Sequence, residues 1–244
     1  MCGRYAVARS RQELIEAFGV EVDETWGEDG EDLLRADYNA APTKTLPAVL
    51  DRAEPTAEET VPARRLRMLR WGLVPPWAKD LSVGNRMINA RVETVAEKPS
   101  YRNAFAKRRC LLPADGYYEW YTNKETKKKQ PFFITPRDGG ILPLAGLYEL
   151  WKDPDTGERV WTFTLLTTQA VDAVGHIHDR MPMTVTDEDA WLDPATEDPG
   201  SLLVPAMSGD LEVYPVSKAV GNVRNNGPGL IEPLKPEEQE ETLF

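Results

Sequence analysis

Residues 142–168 read LPLAGLYELWKDPDTGERVWTFTLLTT. Two apolar runs, LPLAGLYELW (142–151) and VWTFTLLTT (160–168), flank DPDTG, whose Asp, Pro and Gly form a strong turn signal. This stretch is therefore a β-hairpin. Upstream, CLLPADGYYEWYT (110–122) and PFFIT (131–135) bracket the lysine-rich KETKKK (124–129), which gives a second hairpin. RYAVA (4–8), LPAVL (46–50) and LRMLRWG (66–72) add short strands. Helical signals are fewer. SRQELIEAFG (10–19) has Ser10 as cap, Leu14, Ile15 and Phe18 on one face and Gly19 as stop, and PSYRNAFAKR (99–108) places Tyr101 and Phe105 together. Many short strands with few helices indicate an α+β fold, a single domain built on a curved, mainly antiparallel β-sheet or barrel core with short flanking helices. The domain is expected over residues 1–234, with an acidic loop insertion at about 21–36 and an acidic, disordered tail at 235–244.

The 244 residues, 41% of them hydrophobic and seven of them Trp, suffice for a substantial core. No apolar run reaches signal-peptide or membrane-span length, which points to a cytoplasmic protein without a membrane partner. Two cysteines and two histidines make no metal-spaced cluster and no disulfide framework, so neither a metal nor another cofactor is expected. The net charge of −11 argues against coating nucleic acid by charge alone. Acids concentrate in EVDETWGEDGED (21–32), AEET (57–60), TEDP (196–199) and the C-terminal segment, whereas bases gather at ARRLRMLR (63–70), KRR (107–109) and the lysine turn.

Four stretches carry chemistry. The chain starts MCGRYAV, with Cys2 directly behind the initiator methionine. Removal of Met1 would place a thiol and a free α-amine on adjacent carbons of Cys2. Such an aminothiol captures aldehydes, first as an imine through nitrogen and then as a five-membered thiazolidine through sulfur. In NARVET (89–94), Asn89 and Arg91 lie two apart and face one side of an extended segment. PADGYYEW (113–120) sets Glu119 among Tyr117, Tyr118 and Trp120, where burial would raise its pKa into a useful acid–base range; the plainer reading is an edge carboxylate in water. GHIHDRMP (175–182) supplies His178, Asp179 and Arg180.

Together these stretches resemble the SRAP (SOS response-associated peptidase) family, whose members join covalently to abasic sites in single-stranded DNA. The resemblance runs through MCGRY, YNAAPT (38–43), RWGLVPPWA (70–78), NARVET, RRCLLPADGYYEW (108–120), KKQPFFI (128–134), the TT pair (167–168), HDRMP and PVSKAVGNVRNNG (215–227). It implies an active site of Cys2, Asn89, Glu119 and His178, with the open-chain C1′ aldehyde of an abasic site as the partner of Cys2. In this reading His178 donates a proton to the sugar oxygen, and Glu119 shuttles protons and helps release Met1. Asn89 would hold the sugar or the Cys2 backbone. The family name implies autocatalytic peptidase activity, and an imine stage would permit lyase chemistry at the lesion.

Single-stranded DNA containing abasic sites is thus the expected partner of a monomeric protein. Arg4, Arg91 and Arg180 lie inside the motifs and are candidate phosphate clamps, with Trp71, Trp77 and Trp120 as candidate stacking surfaces. Trp71 sits in a strand pattern that fits core equally well, whereas Trp77 follows Pro75-Pro76 in a loop and should be exposed. Two other classes stay open: an N-terminal-nucleophile amidohydrolase using the Cys2 thiol, and a non-catalytic single-strand binding module.

Overall fold

In the computed structural model, which describes residues 2–53, 62–205 and 210–235, the chain runs β1 (Tyr5–Val7), α1 (Arg11–Phe18), β2 (Val22–Glu24), β3 (Asp37–Ala40), β4 (Thr45–Arg52) and β5 (Ala63–Trp71). Next come β6 (Asn89–Arg91), α2 (Val92–Val95), α3 (Arg102–Lys107), β7 (Arg109–Ala114), β8 (Gly116–Thr122) and β9 (Lys129–Pro136). The remainder is β10 (Leu142–Lys152), β11 (Arg159–Gln169), α4 (Asp172–Ile177), β12 (Arg180–Val185), α5 (Glu188–Leu192), β13 (Leu203–Pro205) and β14 (Leu211–Pro215). The AEET segment and the tail beyond Lys235 lie outside the described residues. Among the described residues no helix is long and apolar enough to cross a membrane.

The β10–β11 hairpin pairs from Gly146↔Leu165 to Lys152↔Arg159. Its turn closes because the Asp153 carboxylate accepts from the Asp155 and Thr156 N–H groups, while Gly157 adopts φ +76°, a conformation that L side chains rarely take. Around it, β10 pairs with β7, β7 with β4, and β4 with β5, all antiparallel. A parallel contact of β5 with β11, Phe163↔Trp71, completes the ring. The five strands make a closed barrel, extended through β12, β13 and β2. Period-two alternation sorts its residues. Leu46, Ala48, Leu69, Trp71, Cys110, Leu112, Leu144 and Phe163 fill one cluster, and Val49, Leu66, Leu111, Ala145 and Leu147 join Leu14, Phe18, Phe105 and Trp191 of the helices in another.

A second sheet, ordered β14-β9-β8-β1-β3, sits beside the barrel and shares its first cluster through Cys2, Tyr5 and Tyr117. The α1 helix forms as its sequence demands. Ser10 and Glu13 make a reciprocal capping box, and Gly19 ends the helix in the left-handed region.

Two expectations are corrected here. The run 110–122 is two strands in different sheets rather than one. Asp115 makes the break: its carboxylate accepts from Ala8 N–H and Arg9 Nε, at 2.6 Å each, so it closes the end of β1 instead of pairing in a strand. The 21–36 segment is not wholly loop either. It contains β2, which pairs in parallel with β5. Three of its acids are engaged rather than simply solvated: Glu24 bridges Arg65 and Arg67, while Asp23 and Asp32 hold Arg11.

Candidate active site

Three elements converge on the start of the chain. Cys2 is fully buried against the shared cluster, and burial pushes its thiol well above the ordinary range, so the sulfur rests protonated. From β6, in parallel register with β11, the Asn89 side-chain amide donates to the Cys2 carbonyl at 2.7 Å. Its Oδ1 is buried without a hydrogen-bond partner among the described residues. Ala90 between them is buried and Arg91 exposed, the alternation an extended segment imposes.

Glu119 comes from β8, two residues beyond Tyr117 and therefore on the same strand face. It is 2% exposed, which sets aside the edge carboxylate in water. Burial pushes its carboxyl up to about 7. His178 ends α4, and its Nε2 stands 4.0 Å from Glu119 Oε2. The other ring nitrogen, Nδ1, accepts the Arg180 backbone N–H at 3.0 Å, which places the proton of the neutral ring on Nε2. Burial lowers the His178 pKa, favouring that neutral form. In the protonated ring, Nδ1–H would instead face Asp179 Oδ1, also at 3.0 Å. The site thus holds a buried thiol, a carboxyl poised near neutrality and an imidazole of defined tautomer.

The expected DNA-contact residues divide. Trp77 is 59% exposed. It follows a tight crossing in which a Cβ on Gly72 would lie 2.5 Å from the Gly84 carbonyl oxygen, and Trp151 Nε1 anchors the loop by donating to Ala78 O at 2.8 Å. Arg91 is exposed beside Asn89. Trp120 is half-buried, with the Arg4 guanidinium 5.7 Å from its ring centroid.

Three of the expected contacts are engaged elsewhere. Trp71 is 0% exposed, lies against Tyr5 and Phe163, and donates from Nε1 to Ile88 O. It is a core residue, because a sealed indole cannot stack on a base. Arg4 donates from Nη1 to Asn39 Oδ1 at 2.6 Å and to Val220 O at 2.7 Å, a strut between the N-terminus and the 215–227 motif. Arg180 is bound to Glu93 and Thr167 in place of the solvent position a phosphate clamp requires. Sequence reasoning gave no role to Asn39, Glu93 or Thr167, although all three lie inside quoted motifs. Membership in those motifs was the only signal of their importance.

Comparison with known proteins places these features in context. A family model described as SOS response associated peptidase (SRAP) matches residues 1–223. The abasic site processing protein YoqW of Bacillus subtilis is 39% identical over 237 residues, covering 95% of this chain and 99% of that one. Abasic site processing protein HMCES of Gallus gallus is 31% identical over 269 residues, covering 96% of this chain and 78% of its own. A crystal structure of a protein from Bacteroides thetaiotaomicron superposes with a TM-score of 0.80 at 25% identity, over 96% of this chain and 100% of that one.

Proposed function

The chain belongs to the SOS response associated peptidase (SRAP) family, and from that premise we propose that it processes abasic sites in single-stranded DNA by capturing the lesion covalently through Cys2. What supports the reading is the convergence of Asn89, Glu119 and His178 on Cys2, on a chain whose relatives carry the name abasic site processing protein.

Met1 leaves first, with Glu119 assisting hydrolysis of the Met1–Cys2 peptide. His178, when protonated, delivers its Nε2 proton to the ring oxygen of the closed sugar, which opens to the C1′ aldehyde as the C1′ hydroxyl gives up its proton to water. The Cys2 amine, of reference pKa roughly 7.7–8.0, then adds to C1′. The resulting carbinolamine takes a proton from Glu119, loses water and becomes a protonated imine. Sulfur adds to the imine carbon, its proton returns to Glu119, and the thiazolidine closes. One water is released overall. Asn89 fixes the Cys2 carbonyl, and with it the direction of attack. The raised thiol pKa fits this order, in which nitrogen attacks before sulfur, better than an amidohydrolase needing a resting thiolate. At the imine stage the adjacent C2′ proton is acidified, so β-elimination, a lyase outcome, competes with ring closure. Single-stranded DNA suits a buried nucleophile because no base pair need open.

The test is a denaturing gel of the processed protein incubated with abasic single-stranded DNA. A shifted band is expected, and its absence at any concentration of wild-type protein would remove the proposal. His178→Ala is expected to form the band ~10²-fold more slowly, the lower range for loss of one positioned proton donor. An unchanged time course would deny His178 its role. Trp77→Ala is expected to weaken non-covalent binding about tenfold, within the range of one lost base stack. Its melting temperature should match wild type, since the ring is exposed; unchanged affinity would exclude the stack.

A further inference from the structure

Glu93, the fifth residue of NARVET, has no part in the chemistry above. Resting on that reading of the site, we propose that Glu93 is a positioning residue for His178, acting through Arg180. The same six-residue motif would then hold both ends of the active site: Asn89 directly on Cys2, and Glu93 indirectly on the imidazole.

The connection is continuous. Arg180 Nη1 donates to Glu93 Oε1 at 2.6 Å and Nη2 to Oε2 at 3.0 Å, a bidentate fork, and Nη2 also reaches Thr167 O at 2.5 Å. The arginine side chain is 13% exposed and its partner 46%, so the pair is anchored at its arginine end. The hydrogen bond from Arg180 holds the Glu93 carboxyl below the ordinary carboxylate range, so it stays ionised. With the guanidinium fixed, the backbone at 179–180 is fixed as well. Ala170 N–H donates to Asp179 O, Gln169 pairs with Arg180 across β11 and β12, and Arg180 N–H meets His178 Nδ1.

That last bond selects the tautomer. Among the groups that act on the ring are Glu119 from β8, the N-terminal amine, and Asp179 with the Arg180 N–H from its own segment. If the Arg180 N–H moved away, the proton could shift to Nδ1 and bond Asp179. A lone pair at Nε2 would then face Glu119, and the resting ring would hold no donor toward the sugar oxygen until it took up a second proton. An ionised Glu93 that anchors Arg180 keeps the donating nitrogen on the reactive side.

The experiment reads the tautomer in the DNA-free protein by long-range proton–nitrogen NMR of the imidazoles. The chain has only two histidines, so His178→Asn identifies the resonances. At a pH where His178 is neutral, wild type is expected to show a single Nε2–H tautomer, and Glu93→Gln a mixture. On saturating abasic DNA, Glu93→Gln should crosslink about tenfold more slowly, as expected for a misplaced group that is not itself removed. Affinity for an undamaged single strand of equal length should not change. Arg180→Lys, which keeps the charge but loses the fork, should reproduce the tautomer mixture, and the double variant should be no worse than either single. An unaltered tautomer in Glu93→Gln would overturn the proposal. Tighter binding of the undamaged strand would also overturn it, by showing that Glu93 merely withholds Arg180 from phosphates. Failure of wild-type protein to crosslink would remove the reaction and leave the tautomer measurement standing.

Discussion

Replacing Cys2 with serine is expected to abolish the DNA adduct that survives denaturation and to leave one that appears only when borohydride is present. The reason lies in the division of labour between the two groups of the aminothiol. Serine at the mature N-terminus keeps the α-amine, so an imine with the C1′ aldehyde still forms, and reduction traps it as a stable amine. What serine lacks is a soft nucleophile able to close a durable ring, so without reductant the imine hydrolyses on the gel. The surroundings of Cys2 fit a second-step role for sulfur. The thiol is sealed in the shared cluster and burial holds it protonated, a poor state for first attack. Once the imine sits on the same residue, ring closure is intramolecular and needs no standing thiolate. A borohydride-independent adduct of full yield in Cys2→Ser would refute the thiazolidine. Loss of adduct both with and without reductant would place the first bond at sulfur. DNA association unaffected by Cys2 substitution, with no adduct in wild type, would return the protein to the class of simple single-strand binders.

How much of this was legible in the sequence depends on the range of the interaction concerned. The β10–β11 hairpin and the Ser10 cap of α1 were legible because their determinants lie within a few residues: Asp153 against Thr156, Ser10 against the first turn of its helix. Trp77 declared itself through the Pro-Pro pair before it, a local constraint on the backbone. The burial of Glu119 was an inference from its aromatic neighbours, and it held because those neighbours pack on both faces of β8. By contrast, the split at Asp115 depends on Ala8 and Arg9, more than a hundred positions away, and no local pattern announces it. The capture of Arg180 by Glu93 spans 87 positions. An arginine within a motif reads the same whether it faces a phosphate or a carboxylate, so sequence favoured the first and the fold supplies the second. The segment at 21–36 looked like a solvated loop because its acids were counted without their partners, Arg11, Arg65 and Arg67.

Glu119→Gln should separate catalysis from stability, with opposite signs above neutral pH. The fold raises this carboxyl from the ordinary carboxylate range to about 7, chiefly by burial. A folded pKa above the unfolded one means that the native state holds the proton more tightly. The stabilisation from that proton is complete below the unfolded value of about 4.3 and is lost as pH rises through about 7. Above that, the wild-type fold carries a buried carboxylate at a cost of ~3 kcal/mol relative to the protonated form. Glutamine, neutral and nearly isosteric, never incurs that cost. Its melting temperature should therefore decline less between pH 5 and pH 8.5 and should exceed wild type at the alkaline end. Over the same range the variant should form the DNA adduct ~10³-fold more slowly, because no group remains to pass protons among amine, carbinolamine and thiol. Retention of Met1 in the purified variant, read by intact mass, is the companion observation if Glu119 also assists processing. Matching pH–stability curves for the two proteins would mean that the carboxyl titrates normally and is not poised for transfer. A more alkali-resistant but chemically inert variant is the outcome that ties the raised pKa to function, since it shows the protein retaining a costly buried acid where only its reactivity justifies one.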